Sequence, residues 1–243
     1  MSITCIIERD DGYRRNHKRE NLNSEIKVPI WEPLPGSRTL CKVFMHMFSR
    51  YTVSGLENIP KPTYLVTTNH QAYWDAPAIG SQFSDTVPTF TARKYKGTLT
   101  GLFFYSGSPI WIEQESADRQ ALTTALKIIQ QGHSFAIAPE GKRSKSGELL
   151  EGHEGVAFLA TRANIPIVPV AVWGTNLMFK QLRPEVHVVV GKPYRLPEGR
   201  ARGEQLTAYT ERIMCALAAL LPEQYHGYYA GNPLIGEMAR VVR

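Results

Sequence analysis

Long hydrophobic runs are missing from this 243-residue chain: no stretch of about 18 uncharged apolar residues occurs, so no membrane-spanning helix is expected. Any contact with a bilayer would lie on its surface. Cysteine is scarce. Cys5, Cys41 and Cys215 are far apart and form no metal-type pair, which points to a reduced, cytosolic compartment. A signal peptide is not expected either, because Glu8-Arg9-Asp10-Asp11 interrupts any apolar core near the start. Repeats and low-complexity segments are also absent. What remains is ordinary for a folded protein, with 43% hydrophobic and 21% charged residues. A net charge of +6 suits phosphate groups, whether on nucleic acid, anionic lipid or a cofactor, without choosing among them.

The pattern divides the chain into a polar arm over 1–35 and one folded domain over 36–243. Pro29, Pro33 and Pro35 punctuate an extended approach to a helix expected over 37–51. There Arg38, Lys42, His46 and Arg50 recur every fourth residue as a narrow basic stripe, beside a broad apolar face including Leu40, Val43, Phe44 and Met47. Such a helix either packs on the core with its basic residues solvated or lies among lipid headgroups. Farther on, strand-like runs at 64–68, 87–91, 110–112, 135–138, 167–172 and 186–190 alternate with helical runs at 117–131, 155–163 and 205–221. Alternation of this kind implies an α/β layered fold, a mostly parallel or mixed sheet flanked by helices, with the amphipathic helix at its N-terminal end.

Chemistry concentrates after two of these strands. The first runs into Asn69-His70-Gln71-Ala72-Tyr73-Trp74-Asp75, and loops at the carboxyl ends of strands in open α/β sheets are where ligands usually sit. Asp75 can hold one imidazole nitrogen of His70 while the other faces a substrate proton; equally, the two can be turn and cap residues, and spacing alone leaves both open. The second site, Ala138-Pro139-Glu140-Gly141-Lys142-Arg143-Ser144, follows another strand with a tight turn, an acid and clustered bases. Arg143 can grip a phosphate through two parallel hydrogen bonds, or the turn can be a solvated basic loop. A third feature, Ile165-Pro166-Ile167-Val168-Pro169-Val170, carries two prolines that argue against a regular central strand over its whole length.

Taken in order, these pieces resemble the glycerolipid acyltransferase family, whose best-known member is 1-acylglycerol-3-phosphate acyltransferase. The family's His-x-x-x-x-Asp block is matched by Asn69 to Asp75, and its hydrophobic-Pro-Glu-Gly-Thr-Arg-Ser block by Ala138 to Ser144 with Lys142 in place of Thr. The stretch Gly107 to Gln114 is a loose match to a Gly-x-Ile-Phe-Ile-[Asp/Glu]-Arg block, and 165–170 fits an Ile-Pro-Ile-Val-Pro-Val run. With Val53 to Pro60 included, the similarity spans roughly 51–174.

The resemblance implies an O-acyltransferase that moves a fatty acyl group from acyl-CoA or acyl carrier protein to the hydroxyl of a lysophospholipid. The first acceptor it suggests is 1-acylglycerol-3-phosphate, giving phosphatidic acid; another lysophospholipid or polar lipid, or a non-catalytic lipid-binding role, are the alternatives. His70 would be the general base and Asp75 its orienting partner. Glu140, Gly141 and Arg143 would belong to the acceptor site, with Arg93 and Lys94 adding phosphate contacts. No metal or redox cofactor is expected, because a thioester is already activated. Nucleic acid is not an expected partner, since the basic residues cluster on short loops beside the site. An enzyme of lipids without a spanning helix needs a route to its substrate, which favours the interfacial reading of 37–51 and a peripheral place on the cytoplasmic side of the cell membrane. One departure bears on the acceptor: Gln114 stands where the family block ends in a phosphate-binding arginine.

Overall fold

The alternating runs resolve into seven strands and six helices among the residues that the computed structural model describes, namely 28, 30, 32–61, 63–98, 101, 104, 107–112, 119–197 and 199–243. In chain order these are α1 (Ser37–Phe48), β1 (Arg50–Ser54), β2 (Leu65–Thr68), α2 (Asp75–Gly80), β3 (Pro88–Ala92), β4 (Ser108–Ile112) and α3 (Arg119–Gln130). There follow β5 (Phe135–Ile137), α4 (Gly155–Ala163), β6 (Ile167–Trp173), β7 (Glu185–Val190), α5 (Glu204–Leu220) and α6 (Leu234–Val242). The sheet order is β1-β7-β6-β2-β5-β3-β4. All neighbours are parallel except β6 and β7, so the sheet is mixed and largely parallel, as the alternation implied.

Period-two alternation sorts the strand residues between two cores. Leu65, Ile167 and Ala171 face one side, where α3, α4, α5 and α6 pack. Val66, Val168, Val170 and Val172 face the other, against α1 and α2. From Ile213 to Leu221 every residue is buried; the C-terminal half of α5 is apolar all round because the sheet lies on one side of it and α6 contributes Met238 and Val242 on another.

Two local features bear on the sequence expectation. The helix expected over 37–51 ends at Phe48, because the Ser49 hydroxyl and amide both donate to the Met45 carbonyl, at 2.6 and 2.9 Å, and turn the chain into extended backbone. Arg50, although in register with the basic stripe, opens with Tyr51 a strand that pairs with β7, and the Tyr51 hydroxyl donates to Ala78 O at 2.5 Å. The second concerns Pro169, which sits inside the central strand β6, opposite Thr67. Its carbonyl accepts from Gly191 N at 2.9 Å just past the end of β7, so its missing amide falls where the antiparallel ladder has stopped. Gly191 also makes room for the ring: a Cβ there would lie 2.9 Å from Pro169 Cγ. Among the described residues no helix is long and apolar enough to cross a membrane.

Candidate active site

Because β2, β3, β5 and β6 run parallel, their carboxyl ends emerge on one edge of the sheet and deliver four loops to one place. β2 delivers Asn69 and His70, β3 delivers the turn Arg93–Tyr95, β5 delivers Pro139 to Ser144, and β6 delivers Gly174 and Thr175. Asn69 carries the β2–β6 pairing beyond the strand. Its amide nitrogen donates to Val172 O at 2.7 Å and its carbonyl oxygen accepts from Val172 N at 2.8 Å. Gln71 bridges two further loops, donating to Gly147 O at 2.6 Å and accepting from Gly174 N at 3.1 Å. His70 therefore leaves the sheet from a fixed base.

His70 Nδ1 and Asp75 Oδ2 are 2.7 Å apart. The same Oδ2 accepts from the amides of Gln71 and Ala72 at 2.7 and 2.9 Å, and Oδ1 accepts from the Thr175 hydroxyl. With acceptor duty on both oxygens, Asp75 requires the His70 proton on Nδ1 and leaves Nε2 with a free lone pair. Asp75 is buried, whereas the His70 ring is one-third exposed, so the pair has a fixed side and an accessible side. The backbone of His70 is held as firmly: its amide donates to Glu140 Oε1 at 2.8 Å, and its carbonyl accepts from Ser144 N at 2.8 Å.

Glu140 lies beneath this arrangement, 1% exposed, with Oε2 accepting from Leu150 N at 2.9 Å. Burial raises its carboxyl from the ordinary range to about 7, against the pull of the Leu150 and His70 amides. Both oxygens thus face backbone amides. Gly141 takes φ +65°, and a Cβ there would meet His153 at 3.0 Å, so glycine is what the turn requires. The guanidinium of Arg143 stacks on Tyr73, 3.8 Å from the ring centre, three residues beyond His70. Tyr73 and Tyr95 share a hydroxyl–hydroxyl bond of 2.8 Å, and Lys94 Nζ lies 5.3 Å from the Tyr95 ring centre. Arg143 and Lys94 are thereby joined through one aromatic pair; Arg93 opens the same turn as Lys94. Gln114 lies outside the described residues, as do Glu113 and the polar arm through Lys27.

Sequence reasoning missed several of these groups. Thr175 is 100 residues from Asp75, and its only signal is its place after the carboxyl end of a central parallel strand. Tyr73 and Tyr95 read as ordinary aromatics until the fold pairs them. Trp74, next to Asp75, stacks on Phe44 of α1 at 5.2 Å and packs at a tilt against Phe179 at 5.1 Å, which ties the site to the N-terminal helix. A separate cleft of 330 Å³, lined by Trp173, Leu177, Gln181, His187 and Tyr225 among others, does not include His70. Among the described residues no cluster of three or more His, Cys, Asp or Glu side chains is placed to hold a metal ion.

The fold and the sequence both have known counterparts. A solved structure, the 1-acyl-sn-glycerophosphate (LPA) acyltransferase from Thermotoga maritima, superposes with a TM-score of 0.56 at 25% identity over 73% of this chain and 75% of that one. In sequence, the 1-acyl-sn-glycerol-3-phosphate acyltransferase of Pseudomonas aeruginosa is 27% identical over 130 residues, 50% of this chain and 49% of the relative. The enzyme of that name from Saccharomyces cerevisiae is 31% identical over 134 residues, 52% of this chain and 44% of the relative. The chain thus spans about half the length of these curated relatives. Residues 50–173, from the first residue of β1 to the last of β6, match the family described as Acyltransferase, and the chain belongs to that family.

Proposed function

We propose that the chain transfers a fatty acyl group from a thioester of coenzyme A or acyl carrier protein to the hydroxyl of a lysophospholipid. The observation that carries this reading is the 2.7 Å contact of His70 Nδ1 with a fully engaged Asp75, which leaves Nε2 as the one unoccupied base of the loop. In the reaction, His70 Nε2 takes the proton of the acceptor hydroxyl as its oxygen attacks the thioester carbonyl carbon. Asp75 holds the ring and stabilises the imidazolium. The tetrahedral intermediate then collapses: the C–S bond breaks, and the thiolate leaves with the proton that His70 had taken. No protein nucleophile is needed, since the acceptor supplies its own.

Arg143, held flat on Tyr73, suits a phosphate of the acceptor, and Lys94 and Arg93 add positive charge on the neighbouring turn. Glu140 and Gly141 support the acceptor side by shaping the loop that presents both Arg143 and His70, with Glu140 working through backbone amides. A phosphomonoester acceptor such as 1-acylglycerol-3-phosphate fits this set of cations best. Residues 36–243 act as the catalytic domain, and α1 meets the cytoplasmic surface of the membrane, where soluble thioester donors reach it. A panel of lysolipids offered with one isotope-labelled acyl-CoA, read by mass spectrometry, tests the reading. The phosphomonoester lysolipid is expected to be acylated fastest; equal rates with an uncharged monoacylglycerol would remove Arg143 from the acceptor site.

A further inference from the structure

The loop between β6 and β7 displays its apolar residues outward. Phe179 is 59% exposed and Leu182 is 96% exposed, although buried Met178 beside them plugs into the core under α1 and α2. The display is built rather than loose. Met178 and Gln181 close the loop with a β-bridge, and the amides of Lys180 and Gln181 both donate to Leu177 O. Phe179 and Arg183 take φ +65° and +49°, a region that side-chain-bearing residues enter only at a cost and that persists where the surroundings impose it.

The same loop is fastened to α1. Arg183 donates to His46 O at 3.1 Å, and the Phe179 ring packs against Phe48, Phe44 and Trp74 at 5.3, 6.1 and 5.1 Å. On α1 itself Cys41 and Met45 face the core, while Leu40, Val43 and Met47 project outward on the opposite flank, Leu40 at 67% exposure. Two segments far apart in sequence therefore form one exposed apolar patch, and its aromatic centre is the residue preceding Asp75.

Charge identifies what covers it. Residues 37–49 contain Arg38, Lys42 and His46 and no acid; residues 174–184 contain Lys180 and Arg183 and no acid. The next acid along, Glu185, faces Arg50 at 3.8 Å. Arg38 is engaged with the carbonyls of Ser84 and Asp85 and Arg183 with that of His46, each keeping its charge, and Lys42 and Lys180 add two more cations on the same segments. An apolar patch rimmed by cations alone on both contributing segments complements a bilayer bearing negative headgroups.

We propose that Phe179 and Leu182 insert into an anionic lipid surface together with the outer flank of α1, so that the membrane is gripped by two separate segments rather than by the N-terminal helix alone. The lipid nature of the substrate, which rests on the acyl-transfer reading, explains why the patch includes the residue next to Asp75; the docking itself does not depend on it.

The test is co-sedimentation of the full chain with phosphatidylcholine vesicles, with and without phosphatidylglycerol. Leu182→Glu and, separately, Leu40→Glu change side chains that the core does not use. Each is expected to weaken binding to the anionic vesicles by about 10-fold or more, the wild type binding the neutral vesicles less and losing its preference in high salt. Turnover of a short-chain acceptor dissolved below its micelle threshold should be unchanged in both. Unaltered vesicle binding by Leu182→Glu overturns the proposal. So does a shift of the wild type from dimer to monomer on that substitution, which would assign the patch to a second copy of the chain. Loss of vesicle binding in a protein inactive on every lysolipid would leave the docking intact and refute the acyl-transfer reading instead.

Discussion

The carboxyl edge of the sheet and the α1 patch are neighbours joined by Trp74, yet they are built on opposite rules. At the edge, the two buried carboxylates are matched with partners: Asp75 receives four donors and Glu140 two. At the patch, apolar groups are left in solvent, as at Leu40, Val43, Met47 and Leu182. The first arrangement stores position, since each satisfied group fixes a loop relative to its neighbours. The second stores affinity, to be realised when water is replaced by another apolar phase. The family match covers the edge up to Trp173, short of Gly174 and Thr175; it stops before the 178–183 loop and begins after α1.

The sharpest way to break this contrast is at His70. His70→Ala is expected to lower turnover by about 10²- to 10⁴-fold while melting temperature and vesicle binding stay as in the wild type. Thermal denaturation, sedimentation and a thiol-release assay read the three quantities side by side. Next in size is Glu140→Ala, which strands two buried backbone amides and should cost roughly 2–5 kcal/mol in a urea titration, with activity falling as the His70 loop loosens. If Glu140 instead contacted the acceptor directly, KM would rise without loss of stability.

Arg143→Ala should raise KM for a phosphomonoester lysolipid by about 10-fold or more and leave an uncharged acceptor nearly unaffected, in steady-state assays on both. Glu140 also gives the stability a pH signature. Its folded pKa of about 7 exceeds the ordinary 4.5, so in that window the folded chain holds more protons than the unfolded one. Stability therefore rises as pH falls from 7 toward 4.5, by at most about 1.4 kcal/mol per pH unit from this group. Glu140→Gln should flatten that slope, which urea titrations across the window would show. The smallest effect is expected at the patch: Val43→Ser or Leu182→Ser should move stability by less than about 0.5 kcal/mol, because water already reaches those side chains.

What was legible in the sequence follows from how far apart the determining residues lie. The strands β2, β3 and β5 to β7 and the helices α3 to α5 carry their own period and were readable. His70 and Asp75 were readable as a pair because both partners sit in one loop. The end of α1 was not, because Arg50 continues a four-residue rhythm and the stop is made by Ser49 bonding back to Met45. The helix α2 is six residues long and begins on Asp75 itself, so its start was masked by the motif. The run 167–172 reads as a strand although two prolines argue against a regular one over all of 165–170; a glycine 22 positions after Pro169 lets that proline sit inside β6. Thr175, Tyr95 and Phe179 acquire meaning only once parallel strands bring their loops to one edge.

The most direct measurement pairs two readings in one tube: thiol released from an acyl-CoA and acyl chain gained by a phosphomonoester lysolipid, for the wild type and for His70→Ala. The expected result is that the two amounts match in the wild type, that neither forms without acceptor, and that both collapse in the variant. Thiol released without acylated lipid, or transfer that survives the loss of His70, would contradict a reaction in which this histidine takes the acceptor's proton.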